Sequence, residues 1–369
     1  MTRGVRGLDS ADEVEARKAE HMRVVARGDV DSRAGAGWGD VHLAHEALPV
    51  VDLDEVDLGT TFLGHRLRAP LLIAGMTGGH RAAREVNAVL AAAAERHGVA
   101  MGLGSQRAAL RSPHLADTYS VARDLAPSSL LIANIGAAQL VRQRNGDPLT
   151  PQQLGEAVEM LRADALAIHL NFLEETVQPE GDRRVLGLRE ALPAAVAAVA
   201  VPCVAKETGA GMSRGAALEL AGMGFGALDV GGVGGTSFAA VEAERAAERG
   251  DRRGVALGRV FRDWGIPAAV SVVGAAAAGL PLVATGGVRT GLDAACAIAL
   301  GATLVGVARP LLMAALEGEA AVDAWIGQFV EELRVAIFLT GGRSLADLTG
   351  CGRVVLGDTR RWIEDLGYD

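Results

Sequence analysis

From residue 69 onward the chain alternates short apolar runs with longer stretches of mixed polarity. The runs are APLLIAGMT (69–77), VAMGLGS (99–105), LLIANIG (130–136), ALAIHLN (165–171), PCVAKET (202–208), ALDVGG (227–232), PLVATGG (281–287) and TLVGVAR (303–309). Each is apolar without alternation, the pattern of parallel strands covered on both faces. The stretches between them, such as REVNAVLAAAAERHG, PQQLGEAVEMLRA and GLDAACAIALG, have helical composition. Eight strand–helix units over roughly 250 residues predict a (β/α)8 TIM barrel, within the α/β class. A doubly wound sheet would want a G-x-G-x-x-G turn after its first strand, and GMTGGH does not supply one.

The same pattern divides the chain into an N-terminal extension, 1–68, and a barrel domain, 69–369. The extension contains a glycine-rich stretch from Arg33 to Gly39 and the acidic stretch VVDLDEVDLG. It reads as a cap on the barrel or a reach towards a neighbouring subunit. Two loops are longer than a bare barrel requires: NFLEETVQPEGDRR after the fourth run, and 233–280, where FAAVEAERAAERG predicts an extra helix. Loops at the C-terminal ends of barrel strands are where this architecture places its chemistry. The most apolar stretches, 191–205 and 268–284, are broken by Pro202 and by Gly279-Leu280-Pro281. Each reads as a helix end and a buried strand rather than a membrane span. Residues 1–35 are charged throughout and show no secretory pattern, so a soluble cytoplasmic protein is expected.

Composition sharpens this picture. Half of the residues are hydrophobic and only 4% are aromatic, so the core is built from Ala, Val and Leu. The net charge of −9 argues against nucleic-acid binding. It leaves an anionic ligand open, because local fields outweigh the total. Cys203, Cys296 and Cys351 are widely spaced and form no C-x-x-C pair, so neither a disulfide framework nor a zinc site is expected. Of 36 basic residues, only Lys18 and Lys206 are lysine. A compact ammonium does what a planar guanidinium does not, which marks those two positions for chemistry.

The ends of the predicted strands carry polar groups or paired glycines. In order they are Met76-Thr77-Gly78-Gly79, Ser105-Gln106-Arg107, Asn134, His169 with Asn171 and then Glu174-Glu175, Lys206-Glu207, Gly231-Gly232 with Gly234-Gly235-Thr236-Ser237, Gly286-Gly287, and Ala308-Arg309. Singly, Asn134 reads as a turn former, His169 as a core histidine and each Gly-Gly as a tight turn. Together they mark one site. The glycines after the sixth and seventh runs, with the helix start after the eighth, suit a phosphate, which backbone N–H groups and close approach favour. Glu174 and Glu175, with Glu180 and Asp182 nearby, suit a hard cation such as Mg²⁺ or, alternatively, a solvated charged loop.

These residues resemble a known family. RKAEH, LLIAGMTGGH, GSQR, ANIGAAQL, HLNFLEETVQPEGDR, KETGAGMS, DVGGVGGTSF, WGIP, ATGGVRTGLD and ALGATLVGVAR occur in the order seen in type 2 isopentenyl diphosphate isomerases, from about Arg17 to the C-terminus. The resemblance implies a TIM barrel that binds FMN, reduced by NADPH or NADH. With Mg²⁺ such an enzyme interconverts isopentenyl and dimethylallyl diphosphate without net redox, as a homotetramer or homo-octamer. By the same resemblance Met76, Thr77, Gly78, Ser105, Asn134 and Lys206 line the flavin. Thr236, Gly286, Gly287, Val288, Ala308 and Arg309 hold its phosphate end. Arg17, Lys18, His21, Ser105, Gln106, Arg107, His169, Asn171 and Glu174 meet the substrate, with Arg17 and Lys18 acting in the same or the adjacent subunit. Glu175 serves Mg²⁺, and Glu174, Lys206 and His169 are the catalytic candidates.

One position departs from the pattern. Glu174 stands where the family has glutamine, beside the reacting carbons. An amide donates and accepts, whereas a carboxylate also titrates. Facing a diphosphate and a reduced flavin, both negative, Glu174 is expected to hold its proton. It is a tuned acid/base group, a sign of altered chemistry, or an engineered substitution. Two rival readings remain: an FMN-dependent TIM-barrel oxidoreductase, and a flavin-binding variant whose turnover is lost or altered through Glu174.

Overall fold

The computed structural model describes residues 20–26, 28–144 and 146–368. Eight parallel strands close into a barrel. They are β1 (Leu71–Ile73), β2 (Ala100–Gly102), β3 (Leu131–Gly136), β4 (Ala165–Leu170), β5 (Cys203–Glu207), β6 (Ala227–Asp229), β7 (Leu282–Thr285) and β8 (Leu304–Val307). Each falls inside one of the eight apolar runs. Neighbours in sequence are neighbours in the barrel, and β8 closes on β1 with Val305 opposite Leu71. The barrel helices are α1 (Arg81–His97), α2 (Asp117–Leu125), α3 (Pro151–Leu161), α4 (Leu188–Ala197), α5 (Arg214–Gly222), α6 (Ala268–Ala276), α7 (Gly291–Ala299) and α8 (Glu319–Leu339).

Two apolar layers follow from the alternation of side chains along each strand. Residues such as Leu71, Ile73, Met101, Ala133, Ile168 and Ala205 pack outward against the helices. Leu72, Ala100, Ile132, Ala167, Val204, Ala227, Val283 and Leu304 form a second cluster inside the barrel. That inner cluster includes Phe62 and Leu67 from a hairpin of strands Thr60–Phe62 and His65–Leu67. The hairpin plugs the floor. Its turn residues, Leu63 (φ 47) and Gly64 (φ 84), both adopt the left-handed backbone of a tight hairpin.

The N-terminal extension therefore fills the floor, and it also reaches the rim. Val41–Leu43 pairs antiparallel with Arg353–Val355 near the C-terminus. The Trp38 indole N–H donates to the Gly286 carbonyl, in the loop that follows β7, at 2.9 Å. The loop between β6 and β7 holds two extra helices, Phe238–Glu248 and Arg252–Val260, where the sequence pointed to one. Gly250 (φ 70) turns the chain between them, and Asp251 caps the second through the N–H groups of Arg253 and Gly254. No described helix is long and apolar enough to cross a membrane.

Candidate active site

A cavity of about 280 Å³ opens at the C-terminal ends of the strands. The alternation that keeps Ile132, Ala167, Val204 and Val283 inside the barrel also turns Asn134, His169, Lys206 and Thr285 inward, one step higher, where they line the cavity. The polar layer of the site thus lies on the apolar layer of the barrel core.

On the β3–β4 side a hydrogen-bond chain fixes His169. The Asn134 amide donates through Nδ2 to the Leu103 carbonyl (2.9 Å), so its Oδ1 faces the His169 Nδ1 at 2.7 Å and accepts from it. The proton of this bond therefore sits on Nδ1. Gly136 makes room for this ring, since a Cβ there would lie 3.0 Å from Nε2. Gln106 supports the chain from behind. Its Oε1 accepts the Asn134 N–H and its Nε2 donates to the Ala157 carbonyl on α3. Gln106 is fully buried and is not among the residues lining the cavity, and both polar ends of its side chain bond to backbone groups.

The strand-4 loop folds into a short helix, Phe172–Val177, that presents both glutamates. Asn171 donates through Nδ2 to Glu174 Oε2 (3.1 Å) and Glu175 Oε1 (3.3 Å). Its Oδ1 is buried and has no hydrogen-bond partner. Glu175 accepts the Asp182 N–H at 2.6 Å through its other oxygen. Burial pushes the Glu175 carboxyl up, against the Asp182 N–H, the Arg107 charge and the Asn171 amide. Arg107 lies beside it in an ion pair with Asp182 at 2.6 Å. Glu174 accepts from Gln178 Nε2 at 2.9 Å, and that amide also reaches Glu242 at 3.0 Å. Glu242 holds His21 at 2.7 Å and Arg245 at 2.5 Å. Burial raises the Glu242 carboxyl, but His21, Arg245 and Gln178 outweigh burial and hold it below the usual range.

Lys206, at the end of β5, donates to the Glu207 carbonyl (2.9 Å) and pairs with Asp229 on β6 (3.4 Å). The loop beyond it is shaped by Glu207, whose Oε2 accepts the N–H groups of Gly209, Ala210 and Gly211. Burial pushes the Glu207 carboxyl up to about 7, although those three donors and the Lys206 ammonium oppose it.

Across the cavity, the β6–β8 side is rich in glycine, which exposes backbone. Gly286 (φ 122) and Gly287 (φ 69) take conformations that favour glycine. A Cβ at Gly286 would collide with the Gly232 carbonyl oxygen. The helix Arg309–Glu317 begins here, with the first N–H groups of its initial turn free of intrahelical partners. The Arg309 guanidinium is directed to the N-terminal segment, donating to the carbonyls of Val25 and Gly28 and pairing with Asp31 at 3.0 Å. On the cavity side Arg309 therefore has its backbone N–H to offer, and its side chain anchors the extension. Thr285 Oγ1 is buried there without a partner.

The other candidates converge. His21, Met76, Thr77, Gly78, Ser105, Arg107, Thr236, Val288 and Ala308 all line this one cavity. Arg17 and Lys18 lie outside the described residues. Gln178 and Thr285 line the cavity too, and the sequence reading did not single them out for it; Asp229 and Glu242 stand directly behind it. Inward alternation on β6 and β7 is the signal that could have found Asp229 and Thr285.

Comparison with known proteins agrees with this geometry. The profile of the FMN-dependent dehydrogenase family matches residues 26–112 and 265–352. Two mandelate oxidase structures, one of them a variant solved with 2-hydroxy-phenylacetamide, superpose with TM-scores of 0.59 and 0.57. Each is 19% identical in sequence and covers 94% of this chain and 98–99% of its own, which shows the shared barrel fold. Isopentenyl-diphosphate delta-isomerase of Methanoregula boonei is 46% identical over 95% of this chain and 96% of its own. The same-named proteins of Methanosarcina acetivorans and Halobacterium salinarum are also 46% identical, over 96% and 95% of this chain and 95% and 96% of their own. With close to half of its residues shared over nearly the full length, and with an FMN-family barrel beneath them, the chain belongs to the type 2, FMN-dependent isopentenyl-diphosphate delta-isomerase family.

Proposed function

We propose that this cavity isomerises isopentenyl diphosphate to dimethylallyl diphosphate on reduced FMN with Mg²⁺, without net redox and with NADPH as reductant. The observation that carries the reading is the division of the cavity into two anion-receiving ends. One is glycine backbone at Gly286, Gly287 and the helix start at Arg309; the other is the side-chain cluster of His169, Arg107, Asn171 and Lys206. A flavin phosphate fits the first, where Thr285 Oγ1 lacks a partner. A diphosphate with a hard cation fits the second, where Asn171 Oδ1 lacks a partner beside the Glu175 carboxylate. His21, Glu174 and Glu242 bring ligand atoms within 4.8 Å of one another and border the same end.

Reduced FMN would supply the group that gives and takes protons at the reacting carbons. The chain's own residues set the stage for that exchange. The Lys206 ammonium favours negative charge at its end of the cavity. Asn134 holds the His169 ring in a fixed orientation on the cavity wall. Arg107, balanced by Asp182, offers its remaining N–H groups to the diphosphate. Glu174, held between Asn171 and Gln178, is placed to mimic an amide when protonated and to titrate when not. Binding of the diphosphate fixes the reacting end and so lowers the entropic part of the barrier. Assembly into a homotetramer or homo-octamer belongs to the same proposal, and light scattering on the purified protein checks it.

The test is isopentenyl diphosphate with FMN, Mg²⁺ and a catalytic amount of NADPH, followed by NMR in deuterated water. Dimethylallyl diphosphate and deuterium incorporation should appear without stoichiometric NADPH loss. NADPH consumed in step with product would establish the oxidoreductase reading instead. Tight flavin and diphosphate binding with no exchange would establish a variant that has lost turnover.

A further inference from the structure

Asp229 is a charged residue in a place built for apolar ones. It ends β6 on the inward face, two residues above the core residue Ala227, and is 2% exposed. Its Oδ2 lies 3.4 Å from the Lys206 ammonium, whose side chain is 12% exposed, and its Oδ1 accepts the Gly231 N–H at 3.3 Å. Lys206 lines the large cavity; Asp229 does not, and sits beneath it. Both border a second void of about 20 Å³ inside the barrel, with Asn134 as its third polar wall and Leu72, Ile132, Val204 and Val283 among the rest. That volume admits one water, which would find polar partners on three sides.

We propose that Asp229 is the counter-ion that sets how much positive charge Lys206 presents to the flavin. Burying an ion pair costs desolvation that an apolar pair in the barrel would avoid. The geometry shows what the pair achieves. The ammonium is tethered below by Asp229 and beside by the Glu207 carbonyl at 2.9 Å, so its direction is fixed. The Gly231 N–H in turn holds the carboxylate at strand level, so it does not follow the ammonium upward. A bare ammonium in a site of low effective dielectric exerts its full field on a nearby anion. One with a carboxylate 3.4 Å behind it acts as the near end of a dipole, and its pull on the reduced, anionic flavin is moderated. Asp229 therefore acts through Lys206, as a residue that positions and attenuates that charge.

This inference rests on the FMN reading, and one set of titrations separates the two. Oxidised and anaerobically reduced FMN are titrated into the full chain, the Asp229→Asn and Lys206→Met variants, and the double variant. The readout is the ratio of the two dissociation constants, which a merely structural role leaves alone. Asp229→Asn should raise the preference for reduced FMN about tenfold, equivalent to about 30 mV in a two-electron midpoint potential. Lys206→Met should lower the preference, and the double variant should fall between wild type and Lys206→Met. A ratio in Asp229→Asn within about twofold of wild type, or below it, overturns the role. Should Asp229→Asn fail to fold, the double variant decides: an intermediate ratio supports the role, and one equal to Lys206→Met overturns it. A wild type that binds neither form of FMN defeats the flavin reading and this inference with it.

Discussion

In the proposed reading, the two ends of the cavity would meet negative charge by different means. The β7–β8 end uses backbone: glycines 286 and 287 in left-handed conformations, the start of a helix, and a tryptophan from the extension holding the Gly286 carbonyl. The β4–β5 end uses side chains, and its principal charges are compensated, Arg107 by Asp182 and Lys206 by Asp229, while His21 bonds to Glu242. The backbone end would hold an anion through peptide N–H groups, whose charge does not respond to the ligand's redox or protonation state. The side-chain end can respond, because removing one member of a balanced pair changes the local charge by a full unit. Fixed recognition and adjustable chemistry are thus separated across one cavity.

The largest effect should come from breaking the backbone end. Gly286→Ala forces a side chain into a φ of 122 and into the Gly232 carbonyl. Strain of this kind costs on the order of 1–3 kcal/mol. FMN affinity should fall about a hundredfold in both redox states, read by fluorescence titration. Gly279→Ala is the control. It has φ 68 but nothing within 4 Å, so it should lower the melting temperature slightly and leave FMN binding alone.

Glu175→Gln tests the side-chain end next. It removes a carboxylate charge beside Asn171 and Arg107. The Mg²⁺ concentration needed for half-maximal turnover should rise about tenfold while FMN titration is unchanged. Lost flavin with an unaltered Mg²⁺ response would make the residue structural. Glu174→Gln should move less. The amide keeps the acceptor that faces Gln178, so isomerisation should persist or improve, and the fall in activity at alkaline pH should flatten. Abolished turnover in an otherwise active background would instead make Glu174 an acid/base group in its own right.

The smallest effect concerns Glu242. Its carboxyl is held below the ordinary value of 4.5, so it binds a proton more readily in the unfolded chain than in the folded one. Its contribution is fully present above about pH 4.5 and is lost as pH falls through the lowered folded value. Amide exchange in residues 20–26, which Glu242 anchors through His21, should quicken in that acid window. Glu242→Gln should remove most of this dependence.

The barrel was legible in the sequence because eight uniformly apolar runs leave few alternatives, and each run contains its strand. The backbone end was legible for a related reason, since paired glycines at strand ends are local signals. The compensating partners were not. Asp182, Asp229 and Glu242 lie 75, 23 and 221 residues from the groups they balance, and nothing local ties them together. Gln106 shows the converse: it follows a site residue in sequence, but its side chain is turned towards α3. The extra helix after β6 was missed because Gly250 and Asp251 split one charged amphipathic stretch into two.

The measurement that bears most directly on the contrast between the two ends is the binding of oxidised and reduced FMN to Lys206→Ala and Gly286→Ala, side by side. Lys206→Ala should weaken reduced FMN about tenfold more than oxidised FMN and lower the midpoint potential. Gly286→Ala should weaken both forms alike. Equal loss of both forms in Lys206→Ala would contradict the account, because the side-chain end would then hold the flavin without responding to its charge.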